Sequence, residues 1–450
     1  MVEQIRVQFK GEPRGPEPLS WGLWAQWKAY SLEQRVMSAG GTMKLDEGVT
    51  VSQLATMLGL IVSRHEALRT VIELDGEGVP KQRVLESGEL VLDVQHVDGD
   101  ADPAAAAEEI RARYDEKSWD PFNYDTVRMA VICQDGKASH FVAMYNHFFI
   151  DGSGIDAVGR DLANLDLDTG RVLAPVQGLT PIEQVQQQQT DSALRQGRVS
   201  LRHWETTMRT MPLTLFAESE DKRSPRQWDA TFNSPAGHLA VQAVMARTQL
   251  HSSVIILAAY AKTLARISGE NMIVLRSLVS NRYRPGLRES ASPLAQSGLT
   301  VIDASECPFD ELCDRAFRAQ VASGRHGYYD PRELWALIDR IAEERGEKPE
   351  LTVYYSDRRR GAASAPEEGP PPTREQALAL LARSTLTWGI QEDVPNPAAA
   401  YLMVNPAKDA VDYTFFGDTH KVSPARIEAI LRDVETVLME GAFPADLGAD

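Results

Sequence analysis

The stretch that decides the fold is Asn146–Gly154, which reads NHFFIDGSG. The residues before it, Phe141–His147 (FVAMYNH), are apolar and β-rich, so they predict a strand that ends at the histidine. Beyond it, apolar side chains at positions 155, 158, 162 and 165 have the spacing of a helix face. The stretch therefore predicts a strand, a glycine-rich turn and a helix, with a histidine and an aspartate four residues apart at the turn.

The pair formed by His147 and Asp151 is the strongest candidate for chemistry. An imidazole at a strand end can take a proton from an attacking amine or hydroxyl. The carboxylate can orient that imidazole, or it can tie the turn to another element through an arginine. The structural alternative is a strand-end histidine that is hydrogen-bonded in the core and followed by an ordinary turn. A single H-x-x-x-D pattern does not decide between these readings.

Composition excludes several classes of protein. The 450 residues are 43% hydrophobic and 25% charged, with a net charge of −17 and a pI of about 5.1, which argues against general nucleic-acid binding. Two basic clusters, Arg282–Arg288 and Asp357–Arg360, are interpreted as solvated loops. The sequence shows neither an apolar run of membrane-spanning length nor a secretory signal. Three cysteines without C-x-x-C spacing fit neither a disulfide framework nor a zinc site, so we expect a reduced, cytoplasmic protein with no membrane association.

The organisation of the chain indicates two lobes with mixed α/β (α+β) structure. The Gln- and Pro-rich stretch at 175–200 carries little core pattern, so the predicted domains are 1–180 and 201–450, joined by a linker at 181–200. A long loop is predicted at 361–373. Clear elements are predicted as helices at Thr50–Arg64, Pro103–Lys117, Ser252–Ser268 and Ser423–Gly441, and as strands at Val127–Cys133, Asn271–Val279, Leu351–Ser356 and Tyr401–Asn405.

Further motifs stand along the chain in a fixed order. They are Pro18–Trp27 (PLSWGLWAQW), Arg64–Thr70 (RHEALRT), Trp119–Phe122 with Arg128, Asn146–Gly152, Ser280–Leu287 (SNRYRPGL) and His326–Pro331 (HGYYDP). In residue type and order they resemble the motifs of condensation domains of nonribosomal peptide synthetases, a superfamily of chloramphenicol-acetyltransferase-like acyltransferases. RHEALRT followed about 80 residues later by H-x-x-x-D-G is a specific combination, and the resemblance spans nearly the whole chain.

The resemblance implies two chloramphenicol-acetyltransferase-like lobes in a V-shaped pseudo-dimer with a central tunnel. It implies that His147 is the catalytic residue in that tunnel, as a base or as a group that positions the nucleophile. Asp151 is then structural, in a salt bridge for which Arg69 is the first candidate and Arg64 the second. Gly152 leaves room for the substrate. No metal ligand is implied.

Other residues take roles from the same resemblance. The substrate tunnel is expected to include Ser153, Gln296, His326 and Trp24. Asn146 replaces the first histidine of the family's H-H-x-x-x-D-G motif and is expected to be structural. The G-x-F-V-N-T motif is matched only loosely, with Gln296 in place of its asparagine.

The function implied is a stand-alone condensation-type acyltransferase of natural-product biosynthesis. It joins an acyl or aminoacyl thioester to an amine or hydroxyl acceptor, with no permanently bound cofactor. The donor is carried on the phosphopantetheine arm of a carrier protein, or on coenzyme A. The sequence contains no G-G-x-S carrier signature, so a carrier would come from another chain, and we expect a monomer. Two alternatives remain, a catalytically silent binding module that recruits partners and, less favoured, an epimerase-type relative.

Overall fold

The computed structural model describes residues 2–359, 369–393 and 398–444, so most of the loop predicted at 361–373 lies outside the described residues. Contacts divide the chain into two compact units. Unit 1 consists of Met1–Gln196 and Ser280–Gln296, and unit 2 of Gly197–Val279 and Ser297–Asp450. Unit 1 therefore includes a segment from the second half of the chain, Ser280–Gln296, which we call the returning segment.

The first part of the chain alternates short strands and helices. Its elements are β1 (Val2–Lys10), β2 (Arg14–Pro18), α1 (Trp21–Glu33), β3 (Ser38–Lys44), α2 (Val51–Arg64), a 3-10 turn (Glu66–Arg69), β4 (Thr70–Leu74), β5 (Pro80–Val84), β6 (Ser87–Val97), α3 (Pro103–Glu116), β7 (Val127–Gln134), β8 (Lys137–Asn146), α4 (Gly152–Asp161), a 3-10 turn (Leu162–Asn164), β9 (Leu165–Asp166), β10 (Arg171–Val172), α5 (Pro181–Gln188) and α6 (Asp191–Thr210).

A five-stranded sheet in the order β1-β6-β7-β8-β3 organises unit 1. β6 and β7 run parallel, and the other neighbours run antiparallel. Leu58 and Ile61 of α2 belong to the same core as Leu92 and Val131 of the sheet. Ala291 of the returning segment is buried in that core as well. The remaining strands form a three-stranded sheet, β2-β5-β4, and the pair β9-β10.

The second part of the chain has longer helices. Its elements are β11 (Gln227–Ser234), α7 (Pro235–Thr248), α8 (Ser252–Ser268), β12 (Met272–Val279), β13 (Gln296–Asp303), α9 (Phe309–Arg325), α10 (Pro331–Arg345), β14 (Val353–Asp357), α11 (Arg374–Leu378), a 3-10 turn (Leu381–Arg383), β15 (Thr385–Glu392), β16 (Ala400–Asn405), β17 (Val411–Asp418) and α12 (Pro424–Ala442).

A seven-stranded sheet in the order β13-β12-β14-β16-β17-β11-β15 organises unit 2. The apolar faces of α7, α8, α9 and α12 pack with one face of this sheet, with Leu257, Leu275, Phe415 and Leu431 in one fully buried core. A smaller cluster joins Trp204 of α6 and Leu337 of α10.

Local sequence signals located the most regular helices correctly. The helix predicted at Thr50–Arg64 is α2 with a capping box at its start, where Thr50 Oγ1 accepts the Gln53 N–H at 3.2 Å and Gln53 Oε1 accepts the Thr50 N–H at 2.8 Å. The helix predicted at Ser252–Ser268 is α8 to the residue, and the helix predicted at Ser423–Gly441 is α12, with Ser423 as its N-cap.

The lack of core pattern expected at 175–200 is wrong for the predicted linker at 181–200, because the linker contains α5 and the start of α6. Thr180 and Glu183 form a capping box, which satisfies the first N–H groups of α5. Gln184 is fully buried and donates to Leu179 O at 3.1 Å and Ser292 Oγ at 2.8 Å. A glutamine-rich stretch can therefore build a core when its amides find partners.

Among the helices that the structure describes, none is long and apolar enough to cross a bilayer.

Candidate active site

His147 follows the last residue of β8 and begins the turn that leads into α4. Its N–H donates to Met37 O at 3.0 Å, next to the β3–β8 pair Ser38–Asn146, so the sheet fixes its backbone. The residue is partly exposed. Its Nδ1 is buried, and the imidazole forms no hydrogen bond or ion pair with any described residue. The structural alternative of a hydrogen-bonded core histidine therefore does not hold.

Asn146 is a structural residue of the turn. It is fully buried; its Nδ2 donates to Asp125 O at 2.8 Å, and its Oδ1 accepts the Phe148 N–H at 3.0 Å. Each end of the amide thus has a partner. A neutral histidine also offers one ring donor and one ring acceptor, so asparagine can supply the hydrogen bonds available to the histidine that it replaces.

Asp151 is a buried carboxylate that caps α4. One oxygen, Oδ1, accepts the Gly154 N–H at 2.7 Å, and the other, Oδ2, accepts the N–H groups of Leu294 and Ala295 at 2.8 and 3.0 Å. Arg282 Nη2 lies 2.6 Å from Oδ1. Asp151 therefore holds the turn to the returning segment rather than orienting the imidazole of His147.

The predicted partners of Asp151 are wrong, because its ion pair is with Arg282. Arg69 instead donates to the backbone carbonyl oxygens of Glu12 at 2.8 Å and Leu85 at 2.6 Å. These carbonyl groups accept the hydrogen bonds that a carboxylate was expected to accept. Burial lowers the pKa of Arg69 below its ordinary value.

Arg282 is the site residue that sequence reasoning missed. Besides Asp151, it donates to Ser290 O at 2.6 Å and Ser292 O at 3.0 Å, so one guanidinium organises the returning segment. The Ser280–Leu287 motif contains this residue, although the charge pattern of its sequence neighbours indicates a solvated loop. A buried carboxylate needs a cationic partner, and that partner can come from any part of the chain. Arg282 lies in one of the motifs that resemble those of condensation domains.

Two glycines allow the returning segment to approach closely. A Cβ on Gly154 would lie 3.1 Å from Ser292 O and 3.2 Å from Arg282 Nη2. A Cβ on Gly22, in α1, would lie only 1.6 Å from Pro293 O. The backbone of the returning segment therefore lies directly against the first helix.

The predicted tunnel residues are distributed over both units. Gly152 and Ser153 form the first turn of α4, beside His147. Trp24 lies on α1 and Gln296 ends the returning segment, both buried in unit 1. His326 belongs to unit 2, where its ring stacks on that of His203 with centroids 4.6 Å apart.

A second polar centre in unit 1 surrounds Asp161. The other candidate for Asp151, Arg64, pairs with this carboxylate instead, through Nε and Nη2 at 2.9 and 2.8 Å. His65 Nε2 lies 3.1 Å from Oδ2, and Asn164 donates to Oδ1 at 3.0 Å. Burial raises the pKa of Asp161, but the contacts with His65, Arg64 and Asn164 outweigh it and hold the pKa below its ordinary value. A surface cavity of about 250 Å³ opens here, and His147 does not line it.

The geometry offers no metal centre, because the described residues contain no group of three or more His, Cys, Asp or Glu side chains that could hold an ion. The candidate site is an imidazole that has no hydrogen-bond partner among the described residues and is held by a rigid strand, a capped helix and an arginine clamp.

Comparison with known proteins identifies the family. The model of the condensation domain matches residues 26–292, which include both His147 and Arg282. The chain belongs to the condensation-domain family. It is 27% identical over 400 residues to the phosphinothricin tripeptide synthetase PhsC of Streptomyces viridochromogenes. The alignment covers 76% of this chain and 36% of PhsC. The chain thus spans about a third of that relative.

Solved structures of condensation-type domains share its fold. The condensation domain that mediates chain release from the enacyloxin polyketide synthase superposes with a TM-score of 0.71 at 18% identity, over 97% of this chain and 84% of that one. The X-domain of teicoplanin biosynthesis, solved in complex with OxyB, gives 0.66 at 16% identity, over 96% and 95%. The predicted chloramphenicol-acetyltransferase-like α/β fold is confirmed. Members of the condensation-domain family take part in nonribosomal peptide synthesis. They are generally amide-forming acyltransferases, and their substrates are bound to carrier proteins through phosphopantetheine.

Proposed function

We propose that this condensation-type protein is an active acyltransferase in which His147 handles the proton of the acceptor. The observation that carries the proposal is the imidazole itself, which is partly exposed and has no hydrogen-bond partner among the described residues. A buried polar atom without a partner costs about 1–3 kcal/mol, so its retention favours a functional role.

The reaction is acyl transfer from a thioester to an amine or hydroxyl. The acceptor nitrogen or oxygen attacks the thioester carbonyl carbon, and the new bond forms as the C–S bond breaks. The proton of the acceptor passes by way of His147 to the departing thiolate, which leaves as a thiol. Alignment of the two reactants supplies a further part of the rate enhancement.

The remaining motif residues position this imidazole. Asn146 holds the turn at its first residue, and Asp151 with Arg282 holds it at its last. Gly152 leaves space beside the histidine, while Trp24, Ser153 and Gln296 of unit 1 contribute to the substrate passage. The donor is a phosphopantetheine thioester, delivered by a carrier protein in trans and, as the second option, by coenzyme A.

A second candidate function is partner recruitment without chemistry. The X-domain, which shares this fold, was solved in complex with OxyB, so the architecture can present a binding surface in that protein. Against this reading, the Asn146 replacement leaves the hydrogen bonding of the turn complete.

The test is a panel of acyl-pantetheine and acyl-carrier thioesters incubated with amines and alcohols, with mass spectrometry of the products. We expect an amide or ester that forms only when enzyme, donor and acceptor are all present. Retention of carriers or partner enzymes in a pull-down without product from any pair would favour the recruitment function instead.

A further inference from the structure

Three side chains stand in register across adjacent parallel strands of unit 2. Arg276 of β12 is paired with Tyr354 of β14, which is paired with Tyr401 of β16. Their sequence neighbours Leu275 and Tyr355 point into the helix-covered core. Because side chains alternate along a strand, the three lie together on the opposite face of the sheet.

The contacts of Arg276 fix its guanidinium without neutralising it. Nη1 donates to Tyr354 Oη at 2.5 Å and Nη2 to Ser297 Oγ at 3.0 Å, and the guanidinium lies 4.8 Å from the centroid of the Tyr354 ring. Its Nε is buried and has no hydrogen-bond partner among the described residues. A guanidinium has five N–H donors, so donors remain for a ligand.

A second cation extends this row. The rings of Tyr354 and Tyr401 lie 5.5 Å apart; burial raises the pKa of Tyr401, and the positive charge of Arg358 partly offsets that rise. Within the part of the chain that the structure describes, neither Arg276 nor Arg358 forms an ion pair with a carboxylate.

Among the described residues, Arg276 has no carboxylate partner although its Nε is buried, whereas Arg358 is exposed, and the chain carries a net charge of −17. A partly buried charge without a counter-ion is costly, and arginines in such places are normally paired. Arginine also matches the planar, two-oxygen geometry of carboxylates and phosphates. The row therefore has the charge and the directed donors of a site for an oxyanion.

We infer that Arg276, Tyr354, Tyr401 and Arg358 form a subsite for an oxyanion carried by a substrate. Two sources share this chemistry, the phosphate of the pantetheine arm and the carboxylate of an amino-acid acceptor. The subsite rests on contacts within unit 2, and only its use by a substrate rests on the proposed acyltransferase function.

The test measures how fast phenylglyoxal modifies Arg276 in the wild-type protein, with peptide mass spectrometry to count the modified fraction. Probes come in charged and neutral pairs, 4′-phosphopantetheine with pantetheine, and a mixture of amino acids with the same amino acids as amides. When the probe occupies the subsite in nine-tenths of the protein molecules, only one-tenth can react, so the modification of Arg276 slows by about tenfold. Exposed Arg340 of α10 is the internal control.

Protection of Arg276 by phosphopantetheine but not pantetheine assigns the subsite to the donor phosphate. Protection by the amino acids but not their amides assigns it to the acceptor carboxylate. If neither charged probe protects Arg276 more than its neutral counterpart, or if Arg340 is protected equally, the subsite does not exist.

A binding comparison of variants provides a second readout. We expect Arg276→Gln to raise the Kd of the protecting probe by about tenfold, the loss of one charge-assisted contact. Arg340→Gln, which removes the same charge, leaves the Kd unchanged. The same measurements on His147→Ala protein should give wild-type protection, so failure of the catalytic proposal would leave this result intact.

Discussion

Asp151 and Arg282 are 131 residues apart in the chain, and their side chains form a buried ion pair of 2.6 Å. The carboxylate caps the helix after His147, and the guanidinium gathers carbonyl groups of the returning segment. One contact thus holds together the candidate catalytic turn and a segment from the second half of the chain.

Removal of either partner should destabilise unit 1 strongly. Asp151→Ala leaves a buried guanidinium without its carboxylate, and Arg282→Ala does the reverse, so each should cost about 3–5 kcal/mol of unfolding free energy. Urea denaturation of the two single variants and the double variant gives the coupling energy.

The matched control for that cycle is exposed Arg288→Ala, which should change the stability little. The double variant should lose less unfolding free energy than the two single variants lose in sum. Equal coupling of Asp151 to Arg69 would show that the clamp has been assigned to the wrong arginine.

Close packing of the returning segment makes Gly22 intolerant of a side chain. Gly22→Ala places a Cβ against the Pro293 carbonyl oxygen, and the resulting shift of backbone should cost about 1–3 kcal/mol. Gly41→Ala is the control, because a Cβ there meets no atom within 4 Å. A Tm for Gly22→Ala equal to that of Gly41→Ala would refute this packing.

Much of the local structure could be predicted from sequence because its causes are local. The helices that begin after Thr50 and Ser423 do so because these side chains accept hydrogen bonds from N–H groups three residues later in the chain. The strand, turn and helix around His147 follow from the spacing of the apolar residues and from the positions of the glycines in the turn.

The missed features depend on contacts between distant parts of the chain. Nothing in the sequence near Asp151 shows that its partner is Arg282, and Arg69 is the motif arginine nearer to it in the chain. Likewise, the glutamines of α5 look like linker residues until Ser292 of the returning segment provides a buried partner for Gln184.

Asn146 should be replaceable by histidine but not by alanine. Asn146→Ala leaves the Asp125 carbonyl and the Phe148 N–H unpaired in the interior, a loss of about 1–3 kcal/mol for each group. Asn146→His can restore one donor and one acceptor, so its free energy of unfolding should lie within about 1 kcal/mol of wild type. Equal destabilisation in both variants would disprove the structural role of the amide.

Asp161 should make the stability of unit 1 depend on acid pH. Its pKa is lower in the folded protein than in the unfolded chain, so its stabilisation is complete above the unfolded pKa of about 3.9 and is lost as the pH falls below it. Asp161→Asn should therefore be less stable than wild type at pH 7, and the gap should narrow below about pH 4.

Urea denaturation across this pH range measures the effect, with exposed Asp339→Asn as the control. A gap between wild type and Asp161→Asn that stays constant from neutral to acid pH would argue against the ion pair with Arg64.

The most direct test of the central claim is product formation by His147→Ala with a donor and acceptor pair that the wild-type protein converts. Exposed His96→Ala is the matched control, and the Tm of both variants reports whether they are folded. We predict that folded His147→Ala loses at least about tenfold in turnover while His96→Ala keeps wild-type activity. Wild-type turnover by folded His147→Ala would contradict the catalytic role of His147.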